Sequence, residues 1–95
     1  MRDYETMFIL KPDLEEEAVN AAVTKFQDLV TGGGGTVSNV DRWGKRRLAY
    51  EIAGYTEGIY VVMEFSAEPG VARELERVFR ITDEVIRHLI VRKGD

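Results

Sequence analysis

The 95 residues carry 13 basic and 17 acidic groups for a net charge of −4, and 44% of them are hydrophobic, the balance of one soluble globular domain spanning 1–95 and built around a single two-layer core. The absence of cysteine excludes disulfides, thiolate zinc sites, iron–sulfur clusters and cysteine nucleophiles, and the single histidine, His88, excludes a multi-histidine metal centre. No run approaches the roughly 18 apolar residues of a membrane span, and the N-terminus lacks the apolar core of a signal peptide, so a cytoplasmic protein without membrane partner, cofactor or metal is expected.

The alternation over 4–10 predicts a first strand, with Tyr4, Thr6, Phe8 and Leu10 on one face and Glu5, Met7 and Ile9 on the other. Pro12 ends it. Asp13 with Glu16 three residues on has the pattern of a capping box, predicting a helix over 14–31. Its apolar stripe is Ala18, Ala22, Phe26, Leu29 and Val30, widened by Val19 and Val23. Four consecutive glycines, Gly32 to Gly35, stop the helix, the left-handed cap being open to glycine. A long strand follows over 36–50, with a bulge or bend at Trp43-Gly44, then a connection over 51–57. The clearest strand is 58–65, with Ile59, Val61, Met63 and Phe65 opposed to Tyr60, Val62 and Glu64. Pro69-Gly70 opens a second helix over 71–80 whose stripe is Ala72, Leu75, Val78 and Phe79. The last strand, 85–92, is apolar on both faces, with Ile86, His88 and Ile90 against Leu89 and Val91.

The order β-α-β-β-α-β predicts an α+β, ferredoxin-like sandwich: one four-stranded antiparallel sheet with both helices on one face. Two helices cover one face only. The face of Phe8, Val61, Met63 and Phe65 is expected to meet them, leaving Met7, Ile9, Tyr60 and Val62 as an apolar cluster on the reverse side. Such a cluster marks a binding surface more often than chance.

No catalytic constellation emerges. The glycine run ends a helix instead of starting one, and no Gly-Lys-Ser/Thr follows it, so it is not a phosphate loop. Glu15, Glu16 and Glu17 splay around the helix and suit its dipole. His88 has no serine or carboxylate partner at a recognisable spacing. Asp41, Asp83 and Glu84 fit no metal loop. An acylphosphatase-like site fails for want of its loop, since neither Asn20 nor Asn39 follows one.

Charge is the stronger signal. Arg42, Lys45, Arg46 and Arg47 fall within six positions, so residues 42–50 carry +4 with no acid, whereas 1–41 carry −5. A positive block in a negative protein points to a polyanion; a charge-protected edge strand is the plainer alternative. Arg46 and Arg47 adjoin in a strand and so project to opposite faces. Arg2 with Arg87, Arg92 and Lys93 can pool along the neighbouring first and last strands. The guanidinium fork suits phosphate oxygens.

The N-terminal Arg-Asp-Tyr-Glu-Thr, the central Trp-Gly-Lys-Arg-Arg-Leu-Ala-Tyr-Glu-Ile, and the late Phe-Arg-Ile-Thr-Asp-Glu-Val-Ile-Arg-His-Leu-Ile-Val resemble the family of the sixth protein of the bacterial small ribosomal subunit. The resemblance spans Met1 to Lys93, with Gly44 to Tyr50 as its most specific motif. It implies the same ferredoxin-like fold and a structural, non-enzymatic role: binding the central domain of small-subunit ribosomal RNA as a heterodimer with the eighteenth small-subunit protein. By carry-over, Arg2, Lys45, Arg46, Arg47, Arg80, Arg87, Arg92 and Lys93 are the RNA-side candidates. Met7, Ile9, Trp43, Tyr60 and Val62 are the partner-side candidates. A few arginines on an acidic protein predict feeble RNA binding alone and tight binding with a basic partner. The alternative is a small-molecule regulatory domain of the same fold, self-associating through its open face.

Overall fold

A computed structural model describes residues 1–94. Its elements run β1 (Arg2–Leu10), α1 (Glu16–Gly32), β2 (Thr36–Ile52), β3 (Tyr55–Ala67), α2 (Pro69–Ile81) and β4 (Val85–Arg92). The strands form one antiparallel sheet in the order β2-β3-β1-β4, the expected ferredoxin-like α+β arrangement. No helix is long and apolar enough to cross a membrane.

Register decides which side chains share a face. Phe8 pairs with Val61 and with His88, and Thr6 pairs with Met63 and Ile90. Directly paired residues point the same way, so these six face the helices. Phe8, Phe26 and Phe79 meet there at centroid separations of 4.6 to 5.1 Å, one ring each from β1, α1 and α2. Leu75, Met63, Val61 and Leu10 close the core around them. Thr6 is polar yet fully buried on this face, and its hydroxyl donates to the Leu89 carbonyl at 2.8 Å, which satisfies it without water. The α2 stripe of Ala72, Leu75, Val78 and Phe79 is buried as its spacing predicts.

Several boundaries move, each for a local reason. The first helix begins at Glu16, with Glu15 at its N-cap and no side-chain capping bond. Asp13 instead lies in a turn closed by the Leu14 amide on the Lys11 carbonyl. Leu14 is drawn onto the core from that turn, so the capping box is not made. Ala18 is exposed, whereas Val19, Ala22, Val23, Phe26 and Val30 form the buried stripe. Among the four glycines the left-handed one is Gly34, at φ +87°, one residue beyond the cap at Gly33. The second helix starts at Pro69, where its missing N–H costs nothing.

The largest difference is between β2 and β3. The connection predicted over 51–57 is two residues, Ala53 and Gly54, at φ +53° and +86°, the double positive-φ signature of a tight hairpin turn. Both strands therefore run on as a two-stranded arm past Leu10, the last β1 residue paired with β3, at Ile59.

Candidate interaction surfaces

The ladder between β2 and β3 slips between Arg42 and Gly44, and Gly44 takes φ +82°, a value that L side chains reach only with strain. This is the bulge expected at Trp43-Gly44. It lays the Trp43 ring parallel to Tyr60, at 6.0 Å and 9° between planes, while the indole Nε1 donates to the Asp41 carboxylate at 3.1 Å. The Arg46 guanidinium lies 5.2 Å from the Trp43 ring centroid, near enough for a cation–π contact.

Trp43 thereby becomes one wall of a groove of about 210 Å³ on the reverse face of the sheet. Met7 and Val62, directly paired, make its floor, and Leu89 and Val91 on β4 make the opposite wall. Leu89 is 52% and Val91 47% exposed, an unusual surplus for apolar side chains on a regular strand. Neither was among the partner-side candidates, although the two-faced apolar pattern of residues 85–92 carried the signal: their partners across the ladder are Met7 and Glu5.

Ile9, expected on the open reverse side, is instead 2% exposed and offers no surface while the arm lies over it. Between Arg47 and Ile52 the ladder slips again, and Leu48 turns in to 7% exposure beside Ile9 and Tyr60. The reverse face is thus half roofed by the chain itself and half open.

One end of the open groove is acidic. Glu5 stands opposite Glu64, and Asp3 opposite Ser66, whose hydroxyl hydrogen-bonds the Asp3 carboxylate. Lys93 Nζ reaches Glu64 at 2.7 Å. The hydrogen bond and charge of Lys93 hold the Glu64 carboxyl below its ordinary value. In return Glu64, with Glu5 and Asp3 behind it, raises the ammonium of Lys93.

The predicted cations separate into three groups. Lys45, Arg46 and Arg47 lie on the arm and make no ion pair among the described residues. Lys45 pairs with Ile59 and Arg47 with Glu57, whereas Arg46 pairs with Gly58 between them, so the block presents charge on both faces. Arg87 joins this group: its Nη1 donates to the Tyr50 hydroxyl at 2.6 Å. Arg92 sits opposite Tyr4, diagonal to Arg2, and these two form a second exposed pair at the sheet end. The third group is engaged internally, Lys93 with Glu64 and Arg80 with Glu76 at 3.5 Å. Arg42, inside the basic run by sequence, turns to the helix side and holds Glu16 at 3.1 Å and Asn20 at 2.5 Å; it braces α1 against β2. Among the described residues no cluster of His, Asp and Glu could hold a metal ion.

The chain is similar to known proteins over nearly its whole length. The ribosomal protein S6 family profile matches residues 3–92. The chain is 58% identical over 91 residues to small ribosomal subunit protein bS6 of Clostridium beijerinckii, covering 96% of each. It is 56% identical over 92 residues to bS6 of Moorella thermoacetica, covering 97% of this chain and 94% of that one. Against bS6 of Desulforamulus reducens the figure is 53% over the full length of both. The fold matches the crystal structure of 30S ribosomal protein S6 from Thermotoga maritima with a TM-score of 0.92 at 35% identity, over 97% of this chain and 87% of that one.

Proposed function

The chain belongs to the ribosomal protein S6 family, whose members are structural proteins of the small ribosomal subunit and not enzymes, and from that premise we propose that it enters the subunit through two distinct surfaces. Its compartment is that of the ribosome, the cytoplasm. The open half of the reverse face, Met7, Val62, Trp43, Leu89 and Val91, with Tyr60 stacked on Trp43 at its boundary with the roofed half, receives a protein partner, the eighteenth small-subunit protein. The unpaired cations of the arm, Lys45, Arg46 and Arg47 with Arg87, contact the central domain of small-subunit ribosomal RNA, and Arg2 with Arg92 add a second contact at the sheet end.

The observation that carries this division is electrostatic. The groove has Glu5 in its lining, with Asp3 two residues along the same strand, and a phosphate backbone is repelled from carboxylates, whereas a basic protein is attracted to them. Although Glu57 stands across the ladder from Arg47, the arm cations make no ion pair among the described residues, so their charge is available to phosphate. Leu89 and Val91 are apolar walls without a cover, and covering them is the ordinary use of such a patch.

The expected consequence is cooperative assembly. The RNA is titrated with this protein, with the eighteenth protein, and with both at physiological salt. Weak binding by this protein alone and binding at least about tenfold tighter by the pair is the expected result. Equal affinity with and without the partner refutes the proposal. Leu89→Asp provides the matching control: it should abolish the gain from the partner and leave the weak direct RNA binding unchanged.

A further inference from the structure

The arm lies in an unexpected place. Its residues extend past Leu10, where pairing between β1 and β3 ends, and most of them are exposed, but Leu48 is turned inward to 7% exposure. Tyr50, on β2, is bonded to Arg87, on β4, although β3 and β1 lie between those strands. From β2 to β4 is three strand spacings, about 14 Å, and Leu48, Tyr50 and Ile52 line one cleft with Met7, Ile9 and Arg87, so the arm curls over the reverse face.

Leu48 and Tyr50 hold it there. Leu48 tucks against Ile9, and the Tyr50 ring has the Arg87 guanidinium 5.9 Å from its centroid as well as on its hydroxyl. Between arm and sheet a cleft of about 220 Å³ remains, lined by Met7, Ile9, Leu48, Tyr60 and Arg87 among others. The ladder within the arm is interrupted between Arg47 and Ile52, and its turn holds Ala53 in the left-handed region. An element with an interrupted ladder, an unfilled underside and one polar tie belongs to the low-stability end of a fold. Met7 lines both this cleft and the open groove beside Trp43, so lifting the arm would join the two into one apolar channel.

We propose that the arm is a strap, closed in the free protein by the Tyr50–Arg87 latch, and that it lifts to admit an extended apolar segment of the protein partner against Ile9, Leu48 and Tyr60. This rests on the reading that the reverse face receives a protein. A closed strap reduces apparent affinity by the fraction of molecules that are open; loosening the latch raises that fraction.

The test uses Tyr50→Phe, which keeps the ring and removes the hydroxyl that accepts from Arg87, with Arg87→Gln as a second way to break the same bond. Amide hydrogen exchange over residues 45–57 of the free protein should accelerate about 3- to 10-fold in both variants, with the core strands unchanged. Affinity for the eighteenth protein, measured without RNA, should rise by a similar factor. Unchanged exchange overturns the latch. Faster exchange with unchanged or weaker partner binding overturns the admission of a segment beneath the arm. Failure of the wild-type protein to bind the partner at all sinks the underlying reading, while the exchange data still decide the latch.

Discussion

Ile9 occupies the space that a side chain at position 58 would need. A Cβ built on Gly58 falls inside contact distance of Ile9 Cγ2, with the Leu10 carbonyl oxygen at 3.4 Å and Ile86 Cδ1 at 3.5 Å beyond it. Gly58 sits at the root of the arm, opposite Arg46, and the missing side chain is what lets Ile9 be covered from the reverse side.

Gly58→Ala should therefore destabilise the fold by about 1–3 kcal/mol, the usual result of overfilling a close-packed site. Ile9 is β-branched and buried, so it cannot swing aside cheaply. Urea unfolding of the two proteins reads the difference as a lower midpoint at unchanged slope. The double variant with Ile9→Ala should recover part of the loss attributable to the clash.

Phe26 is the ring through which α1 reaches both β1 and α2. It meets Phe8 at 5.0 Å and Phe79 at 4.6 Å and is fully buried. Phe26→Ala should cost about 3–5 kcal/mol, a large share of the stability of a domain this size. Thermal and denaturant unfolding should show a protein near its threshold at 25 °C, and Phe26→Leu a milder loss.

The split among the cations predicts unequal effects on RNA binding by the assembled pair. Arg46→Ala and Arg47→Ala should each weaken binding at all salt concentrations tested and reduce the salt slope by about 1. Arg80→Ala and Lys93→Ala should change the slope little, because their charges already face Glu76 and Glu64. Filter binding at four or five salt concentrations separates the two groups; equal slopes for all four variants would contradict the assignment.

The Glu64–Lys93 pair makes a pH prediction of definite sign. A carboxyl whose pKa is lowered on folding contributes stability that is fully present above its ordinary value of 4.5 and is lost as pH falls through the folded value. An ammonium whose pKa is raised contributes stability that is fully present below 10.5 and is lost as pH rises through its folded value. Both groups are exposed, so the effect is small and screened by salt. Carboxyl titration by NMR should place Glu64 below 4.5 and return it towards that value in Lys93→Met, where the acid limb of the melting-temperature profile should also become shallower.

Much of the fold was legible because periodicity is a local property. The alternation in residues 4–10 and 58–65, and the 3.6-residue stripe of Ala72, Leu75, Val78 and Phe79, declare an inner face without reference to any other segment. Pro12, the glycine run and Pro69 mark where elements end by the φ values they allow or forbid. The hairpin was harder to read: Ala53-Gly54 is not one of the usual turn pairs, and the stretch 51–57, with Gly54 at its middle and a glutamate at each end, looks like a loop when its strand partner is unknown.

The sequence by itself determined the element order, the inward faces, the bulge at Gly44 and the existence of a basic block in an acidic chain. Only the tertiary structure decided which of those charges are free, that Arg42 is bound to α1 and Lys93 to Glu64, that Ile9 is hidden, and that Leu89 and Val91 replace it as open surface. The reason is physical. Burial patterns repeat within a segment, whereas the pairings Arg42 with Glu16, Lys93 with Glu64 and Tyr50 with Arg87 join residues 26, 29 and 37 positions apart, through bulges and register slips that leave no periodic trace in either partner.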